Sequence, residues 1–124
     1  MAAWTDDELT RIGDAEELRL QSSRRDGTLR DPVTMWVVRN GDDLYVRCMN
    51  GPDGAWYRGA ETRHEGHVSA DGVEKDVVFA DADHALDGQI DDVYRAKYRR
   101  YSKDIVDGVV NPASRVATIK LVPR

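Results

Sequence analysis

The chain has 124 residues, of which 40% are hydrophobic and 33% charged, and this balance fits one domain spanning residues 1–124. The formal charge of -5 disfavours nucleic acid and anionic membranes as partners. Short apolar runs argue against a membrane span or signal peptide, so a cytoplasmic location is expected, and a single cysteine, Cys48, excludes an intrachain disulfide.

The N-terminal residues carry the signals of a capped helix followed by a strand. Thr5 can cap the helix and Glu8 completes a capping box, and Gly13 is expected to end it. Glu17–Ser22 then alternates between apolar and polar residues, which predicts a half-buried strand. Asp26-Gly27 supplies the turn that follows.

The next segment predicts the centre of a sheet. Val33–Arg39 is apolar on both faces, as expected for a central strand covered on two sides. Asn40-Gly41 is a strong signal for a two-residue hairpin turn. The returning strand, Leu44–Met49, alternates and places Cys48 on its more apolar face.

A loop and a short helix follow this hairpin. The loop, residues 50–54, contains two glycines and a proline, and Ala55–Arg63 is predicted to form a helix capped by Asp53. A second hairpin is predicted from His67–Ala70 and Val73–Phe79.

The last third changes from loop to helix to strand. We expect the acidic residues 81–88 to form a loop, and the spacing from Gln89 onward predicts a helix. The apolar face of that helix comprises Ile90, Val93, Tyr94, Lys97, Tyr98 and Tyr101. A weaker helical turn spans Ile105–Val110, Asn111-Pro112 is predicted to break it, and Arg115–Val122 reads as a final strand.

These elements predict an α+β domain with a six-stranded, mainly antiparallel sheet and about three flanking helices. Because a two-faced central strand needs cover on both sides, the sheet is expected to close or half close into a barrel.

Most chemically reactive residues have a simpler structural explanation. Cys48 alternates with apolar residues and is expected to be a small buried side chain rather than a nucleophile. His64 and His67 lack the spacing of a helical metal site, and the acidic residues from Asp81 lack the glycine of a calcium loop. The sequence therefore predicts no metal site and assigns no catalytic residue.

The segment from Tyr45 to Arg58 leaves two alternatives open. A glycine-containing loop before a helix can present backbone N–H groups to a phosphate, with Arg47 and Arg58 as charge partners. Alternatively the loop only turns the chain and Trp56 packs into the core. Asp53 weighs against the phosphate, because a carboxylate at the helix start repels an anion.

Six segments together resemble a known bacterial family. The chain is similar to domain-of-unknown-function family 2255, itself similar to the FMN-binding split-barrel superfamily of pyridoxamine-phosphate oxidase-like and deazaflavin-dependent nitroreductase-like proteins. The segments are Trp4-Thr5-Asp6-Asp7-Glu8-Leu9, Asp26-Gly27-Thr28-Leu29, Pro32-Val33-Thr34-Met35-Trp36-Val37-Val38, Gly41-Asp42-Asp43-Leu44-Tyr45-Val46-Arg47, Ala55-Trp56-Tyr57-Arg58 and the closing residues 117–124.

This resemblance implies a split β-barrel, a homodimer, and a groove for FMN or a deazaflavin. By position, Thr34 and Trp36 are expected near the ring, and Arg47, Asn50 and Gly51 near the phosphate. Trp56, Tyr57 and Arg58 are expected to flank the same loop. The nitroreductase-like loop usually carries a basic residue before the tryptophan, whereas this one carries Asp53.

Two functions therefore remain open from the sequence. One is a flavin- or deazaflavin-binding oxidoreductase. The other is a cofactor-free module on the same scaffold that binds another small ligand or serves only for dimerisation.

Overall fold

A computed structural model describes residues 3–49 and 51–124 of the chain. Within them, seven strands form one antiparallel sheet in the order β2-β1-β5-β6-β7-β4-β3, accompanied by five α-helices. The strands are β1 Leu18–Ser22, β2 Val33–Met35, β3 Val38–Asn40, β4 Asp43–Arg47, β5 Glu65–Ala70, β6 Val73–Asp81 and β7 Thr118–Pro123. The helices are α1 Asp6–Asp14, α2 Ala55–Arg63, α3 Asp87–Lys97, α4 Lys103–Val106 and α5 Pro112–Val116.

The α+β class and the curled, half-closed antiparallel sheet are confirmed. The number of elements differs from the prediction, with seven strands instead of six and five helices instead of about three. The added strand arises because the predicted strand Val33–Arg39 is divided into β2 and β3, and the added helices are the short helices α4 and α5. None of the helices in the described parts is long and apolar enough to cross a membrane.

The prediction of one central strand at Val33–Arg39 is wrong. The segment divides into β2 and β3, which lie at opposite edges of the sheet. Between them, the Val37 N–H donates to Tyr98 Oη (3.2 Å), and the Val37 carbonyl accepts from Lys97 Nζ (2.6 Å). Side chains of the α3 region thus satisfy backbone groups that a strand neighbour would otherwise pair, and the chain can leave the sheet.

The strand that is buried on both faces is instead β4. Leu44 and Val46 lie in one apolar cluster and Tyr45 in a second, and all three are buried. The first cluster includes residues of α1 and α2, and the second includes residues of α3 and α4. A strand covered on both faces is therefore present, but it is β4, the second strand of the predicted hairpin, and not the segment Val33–Arg39.

Both predicted hairpins are present. β3 and β4 pair up to Asn40 opposite Asp43, so the turn residues are Gly41 and Asp42, one position later than predicted. Gly41 has φ +65°, a conformation that glycine adopts without steric cost. The second turn, at residues 71–72, joins β5 and β6 as predicted.

Several element boundaries also differ. α1 has the predicted Thr5–Glu8 capping box, and α2 has the predicted bounds. β6 extends to Asp81 and a 3-10 turn precedes α3, so residues 81–88 are more ordered than a loop. Helical structure does stop before Asn111-Pro112, as predicted, but a new helix then begins: Asn111 caps α5 and proline occupies its first turn, where a missing N–H costs nothing. Because α5 includes Arg115, the last strand begins at Thr118 and not at Arg115.

Candidate functional site

A cleft of about 390 Å³ opens between the end of β2 and the start of α2. Its lining is mainly apolar, with two indoles contributed by separate elements. The lining residues are Glu17, Val33, Thr34, Met35, Trp36, Arg47, Cys48, Met49, Trp56, Ile105 and Val109. Four of the eight predicted site residues, Thr34, Trp36, Arg47 and Trp56, are among them.

Trp36 forms a braced wall of the cleft. Its indole stacks on the Tyr98 ring with centroids 3.9 Å apart and planes 7° from parallel, and Tyr101 lies 5.0 Å away. Tyr98 is itself fixed, because its hydroxyl donates to the Glu16 carbonyl (2.8 Å) and accepts from the Val37 N–H. Trp36 lies in the segment between β2 and β3, and the fixed Tyr98 ring stacked on it holds the indole in one orientation.

Trp56 is supplied by the first turn of α2. Its ring meets the Tyr57 ring edge-on, with centroids 6.2 Å apart, and both rings pack partly against the first apolar cluster. Burial raises the pKa of the Tyr57 hydroxyl, and the nearby Glu61 adds to this effect. Trp56 thus packs against the core, as one of the two alternatives predicted, and it also lines the cleft.

The rim of the cleft is unusually apolar for an exposed surface. Val33, Met49 and Ile105 are 37%, 62% and 48% exposed, although each is a large hydrophobic residue. Large exposed apolar groups gathered around one cleft indicate contact with a ligand or another chain. Glu17 contributes the one carboxylate among the described lining residues, and Thr34 the one hydroxyl.

The Arg47 guanidinium is bonded to buried groups of the protein and is not held free for the predicted phosphate. Its side chain is fully buried, and it donates to Asp91 Oδ1 (2.5 Å), to the Val109 carbonyl (2.9 Å) and to Thr118 Oγ1 (3.0 Å). Asp91 also accepts from Arg115 (2.8 Å). Although burial raises the pKa of Asp91, the hydrogen bonds from Arg115 and Arg47 outweigh it and leave that pKa below its ordinary value.

The remaining predicted residues occupy different surroundings. Gly51 is buried with φ +67°, and a side chain there would collide with Ala113 of α5. Arg58 is exposed and lines a separate, smaller cavity beside Gly59. Asn50 lies outside the described residues.

Asp53 does not cap α2, contrary to prediction. The helix is preceded by Gly54 without a side-chain cap bond, and Asp53 is the exposed last residue of a 3-10 turn. Asp53 is therefore not bonded to the helix start, although its carboxylate belongs to the residue directly before the N-cap.

Seven of the eleven lining residues were not predicted as site residues. They are Glu17, Val33, Met35, Cys48, Met49, Ile105 and Val109. Val33 and Met35 are adjacent to predicted site residues, so their alternation around Thr34 was the available signal. Ile105 and Val109 come from the segment after α3, and only the packing of that segment against β4 brings them to the cleft. Their local sequence resembles any short apolar helix.

The other reactive residues contribute no second site. Cys48 is buried, and His67 is paired with Asp76 (2.9 Å) and Glu74 (3.3 Å). Within residues 3–49 and 51–124, no group of three or more histidine, cysteine or carboxylate side chains is placed to hold a metal ion.

Solved structures share this fold at low sequence identity. The chain is similar to an F420 reductase (TM-score 0.65, 17% identity, covering 93% of this chain and 91% of that chain). It is also similar to a putative pyridoxamine 5'-phosphate oxidase from Listeria innocua (TM-score 0.66, 16% identity, 96% and 92%). A third is an FAD-binding protein from Mesorhizobium loti (TM-score 0.60, 13% identity, 99% and 92%).

Sequence comparison is specific for one family. Curated proteins give no significant match. The model of a family described as "Uncharacterized protein conserved in bacteria (DUF2255)" matches residues 8–121, which is nearly the whole chain. This chain therefore belongs to the DUF2255 family, and its fold is similar to that of the three solved structures.

Proposed function

We propose that this protein binds a flavin or deazaflavin and acts as an oxidoreductase through it. The observation that carries the proposal is the cleft bounded by Trp36 and Trp56, which presents two indoles from separate elements to one apolar space. Planar aromatic ligands stack on such rings, and aromatic contacts of this kind contribute about 0.5–1.5 kcal/mol beyond the burial of area.

The dimensions and lining of the cleft fit the ring of such a cofactor. Its volume, about 390 Å³, lies within the range of about 300–1,000 Å³ typical of small-molecule sites. Thr34 places a hydroxyl where a polar edge of the ring can bond. When bound, the cofactor supplies hydride or electron transfer, and the protein supplies orientation and exclusion of water.

The named structural neighbours support the same class of ligand. An F420 reductase, a putative pyridoxamine 5'-phosphate oxidase and an FAD-binding protein all share the fold over more than nine tenths of both chains. Because one fold hosts unrelated functions, the cleft and its two indoles carry the argument, and the neighbours add to it.

Titration of the purified protein with FMN, FAD and a deazaflavin, followed by fluorescence, tests the proposal. Trp56→Leu removes one stacking surface, so we expect about tenfold weaker binding. Val116→Ala, at an exposed residue outside the cleft, is the matched control and leaves the affinity unchanged. Failure of all three compounds to bind the unmodified protein overturns the proposal, as does unchanged affinity in Trp56→Leu.

The second candidate is a cofactor-free module that holds another small ligand in the same cleft. The buried ion pairs of Arg47 favour it, because the cation predicted to hold the cofactor's phosphate is committed to Asp91. A chromophore that co-purifies with the protein argues decisively against this candidate.

We infer that the chain forms a homodimer whose interface includes the rim of the cleft. The exposed Val33, Met49 and Ile105 side chains support this, since a second copy would remove their apolar surface from water. Such an interface also narrows the mouth of the cleft and excludes solvent from a bound ring.

A further inference from the structure

Two smaller cavities continue from the cleft on the far side of Trp56. The first, about 270 Å³, shares Val33 and Trp56 with the cleft. The second, about 310 Å³, shares Arg30 and Ala55 with the first. Neighbouring spaces share lining residues, so the three form a row that runs from the indoles to the first turns of α2, and we call this row the groove.

The chemistry of the groove changes along its length. The cleft is apolar, whereas the two smaller cavities are lined by three arginines, Arg24, Arg30 and Arg58. Asp31 is the one carboxylate among the described residues that line them. A ligand that fills the whole groove is therefore apolar at one end and anionic at the other.

None of the three arginines has an ion-pair partner within the described residues. The Arg24 guanidinium donates to the Leu29 carbonyl (2.7 Å), a neutral group, and more weakly to Thr28 Oγ1. The Arg30 and Arg58 side chains have neither an ion pair nor a hydrogen bond to any described residue. Asp31 lines the first of the two smaller cavities and Asp26 interacts electrostatically with Arg24, but neither forms an ion pair with the three guanidinium groups. In a chain with a net charge of -5, three arginines without an ion pair are a local concentration of positive charge.

Arg30 is held in place from its backbone. Its N–H donates to the Ser22 carbonyl (2.9 Å), and its carbonyl accepts from Gln21 Nε2 (3.0 Å). Its side chain lies over α2 at Gly59, where an added Cβ would stand 3.2 Å from Arg30 Nε. The absence of a side chain at Gly59 thus provides the space that lets Arg30 reach the groove.

We propose that Arg24, Arg30 and Arg58 bind a phosphate group carried by the same ligand whose ring occupies the cleft. A guanidinium matches phosphate with two parallel hydrogen bonds, and this geometry suits several arginines around one anion. The inference rests on the proposed function and deepens it: the ligand is a phosphorylated ring compound, and Arg47 has no part in holding its phosphate.

A comparison of FMN with riboflavin tests this assignment, because the two share a ring and differ by the phosphate. The unmodified protein binds FMN at least about tenfold more tightly than riboflavin. Arg30→Ala and Arg58→Ala each weaken FMN binding by about tenfold and leave riboflavin binding unchanged. Arg99→Ala is the matched control, since Arg99 is exposed, lies away from the groove and also lacks an ion pair.

Equal affinity for FMN and riboflavin overturns the phosphate site while the proposed ring site stands. Equal weakening of FMN and riboflavin binding by Arg30→Ala also overturns the phosphate site and leaves the proposed ring site standing. If no ring compound binds, the proposed function fails, and the arginines are then tested with inorganic phosphate alone. Selective NMR shifts of the Arg30 and Arg58 Nε–H signals at millimolar phosphate support the site, and uniform or absent shifts contradict it.

Discussion

At the scale of single residues, Arg47 shows how burial decides the role of a charge. In sequence it stands at the end of a strand, before a glycine-containing loop, which is a suitable place for an anion-binding cation. In the structure it links β4 to α3 through Asp91, and Asp91 links it to Arg115 of α5. A buried guanidinium requires such partners, because an unpaired charge inside a protein is expensive.

Removal of the Asp91 carboxylate should therefore be strongly destabilising. Asp91→Ala leaves two arginines without their shared partner, and we expect the free energy of unfolding to fall by about 3–5 kcal/mol. Asp92→Ala is the control: Asp92 is the exposed neighbour, paired with Arg95 at 3.5 Å, and its loss costs about 0.5 kcal/mol or less. Urea denaturation measures both, and similar values for the two variants would refute the structural role of Asp91.

Lys97 predicts a dependence of stability on alkaline pH. Burial lowers its pKa from 10.5 to about 8, although Glu16 and Asp14 oppose this effect. Between these two pKa values the unfolded chain binds the proton that the folded chain has released, so the contribution of Lys97 to stability rises with pH. Burial of the charged Lys97 side chain therefore lowers the free energy of unfolding by its full amount below pH 8. This loss becomes smaller as the pH rises from about 8 towards 10.5.

Urea denaturation from pH 7 to 10 checks this contribution. The unmodified protein should gain stability from Lys97 over the upper part of that range, whereas Lys97→Met should lose this gain. Measurements stop at pH 10 because burial raises the pKa values of Tyr94 and Tyr98, and tyrosine ionisation in the unfolded chain then opposes folding. An identical slope in both proteins would contradict the assignment.

At the scale of elements, α2 connects the apolar and the cationic parts of the groove. Trp56 in its first turn lines the cleft, and Arg58, two residues later and on a different face of the helix, lines the cationic end. The helix lies close to β1 because Gly59 has no side chain. α2 therefore contributes residues to both the apolar and the cationic part of the proposed ligand site, and Gly59 allows the helix to pack closely on β1.

A pair of glycine substitutions separates this packing from helix propensity. Gly59→Ala would put a Cβ 2.7 Å from the buried Ser22 Oγ, and we expect a loss of about 1–3 kcal/mol in the free energy of unfolding. Gly88→Ala in α3 meets open space and should stabilise by about 0.4–1 kcal/mol. Thermal denaturation measures both; a stabilising Gly59→Ala would show that α2 can move away from β1.

At the scale of the whole molecule, the sheet separates two apolar clusters, and the candidate site is lined both by β2 at one edge and by the end of β4 near the other. β7, near the C-terminus, lies between β6 and β4, and Trp4 Nε1 donates to the Leu121 carbonyl on it (2.9 Å). The central strands are therefore tied by contacts distant in sequence. β2, which borders the cleft, is an edge strand and is open to a partner on its outer side.

Sedimentation velocity at micromolar concentration checks the proposed homodimer. We expect a dimer of twice the 14.0 kDa chain mass. Ile105→Asp puts a charge on the exposed apolar rim and should shift the chain towards monomer, whereas Val78→Asp, at an exposed residue outside the cleft, should not. A monomer in the unmodified protein contradicts the interface and leaves the cleft open to solvent.

The sequence by itself determined the structural features that depend on interactions between residues close together in the chain. The Thr5–Glu8 capping box, both hairpins and the bounds of α2 follow from local hydrogen bonding, turn chemistry and periodicity, and all were predicted. The resemblance carried by the six segments also identified the family. Thr34, Trp36 and Trp56, which that resemblance named, line one cleft in the structure.

Only the tertiary structure decided which segments share a surface and which charges are satisfied. The predicted strand Val33–Arg39 is divided because the Lys97 and Tyr98 side chains hydrogen-bond to the backbone of Val37. Arg47 is not free to bind an anion because it pairs with Asp91, which lies 44 residues later in the chain. Likewise Arg24, Arg30 and Arg58 lie on one groove because α2 packs on β1. Backbone hydrogen bonds and ion pairs between distant residues leave no local pattern, so chain folding alone brings these partners together.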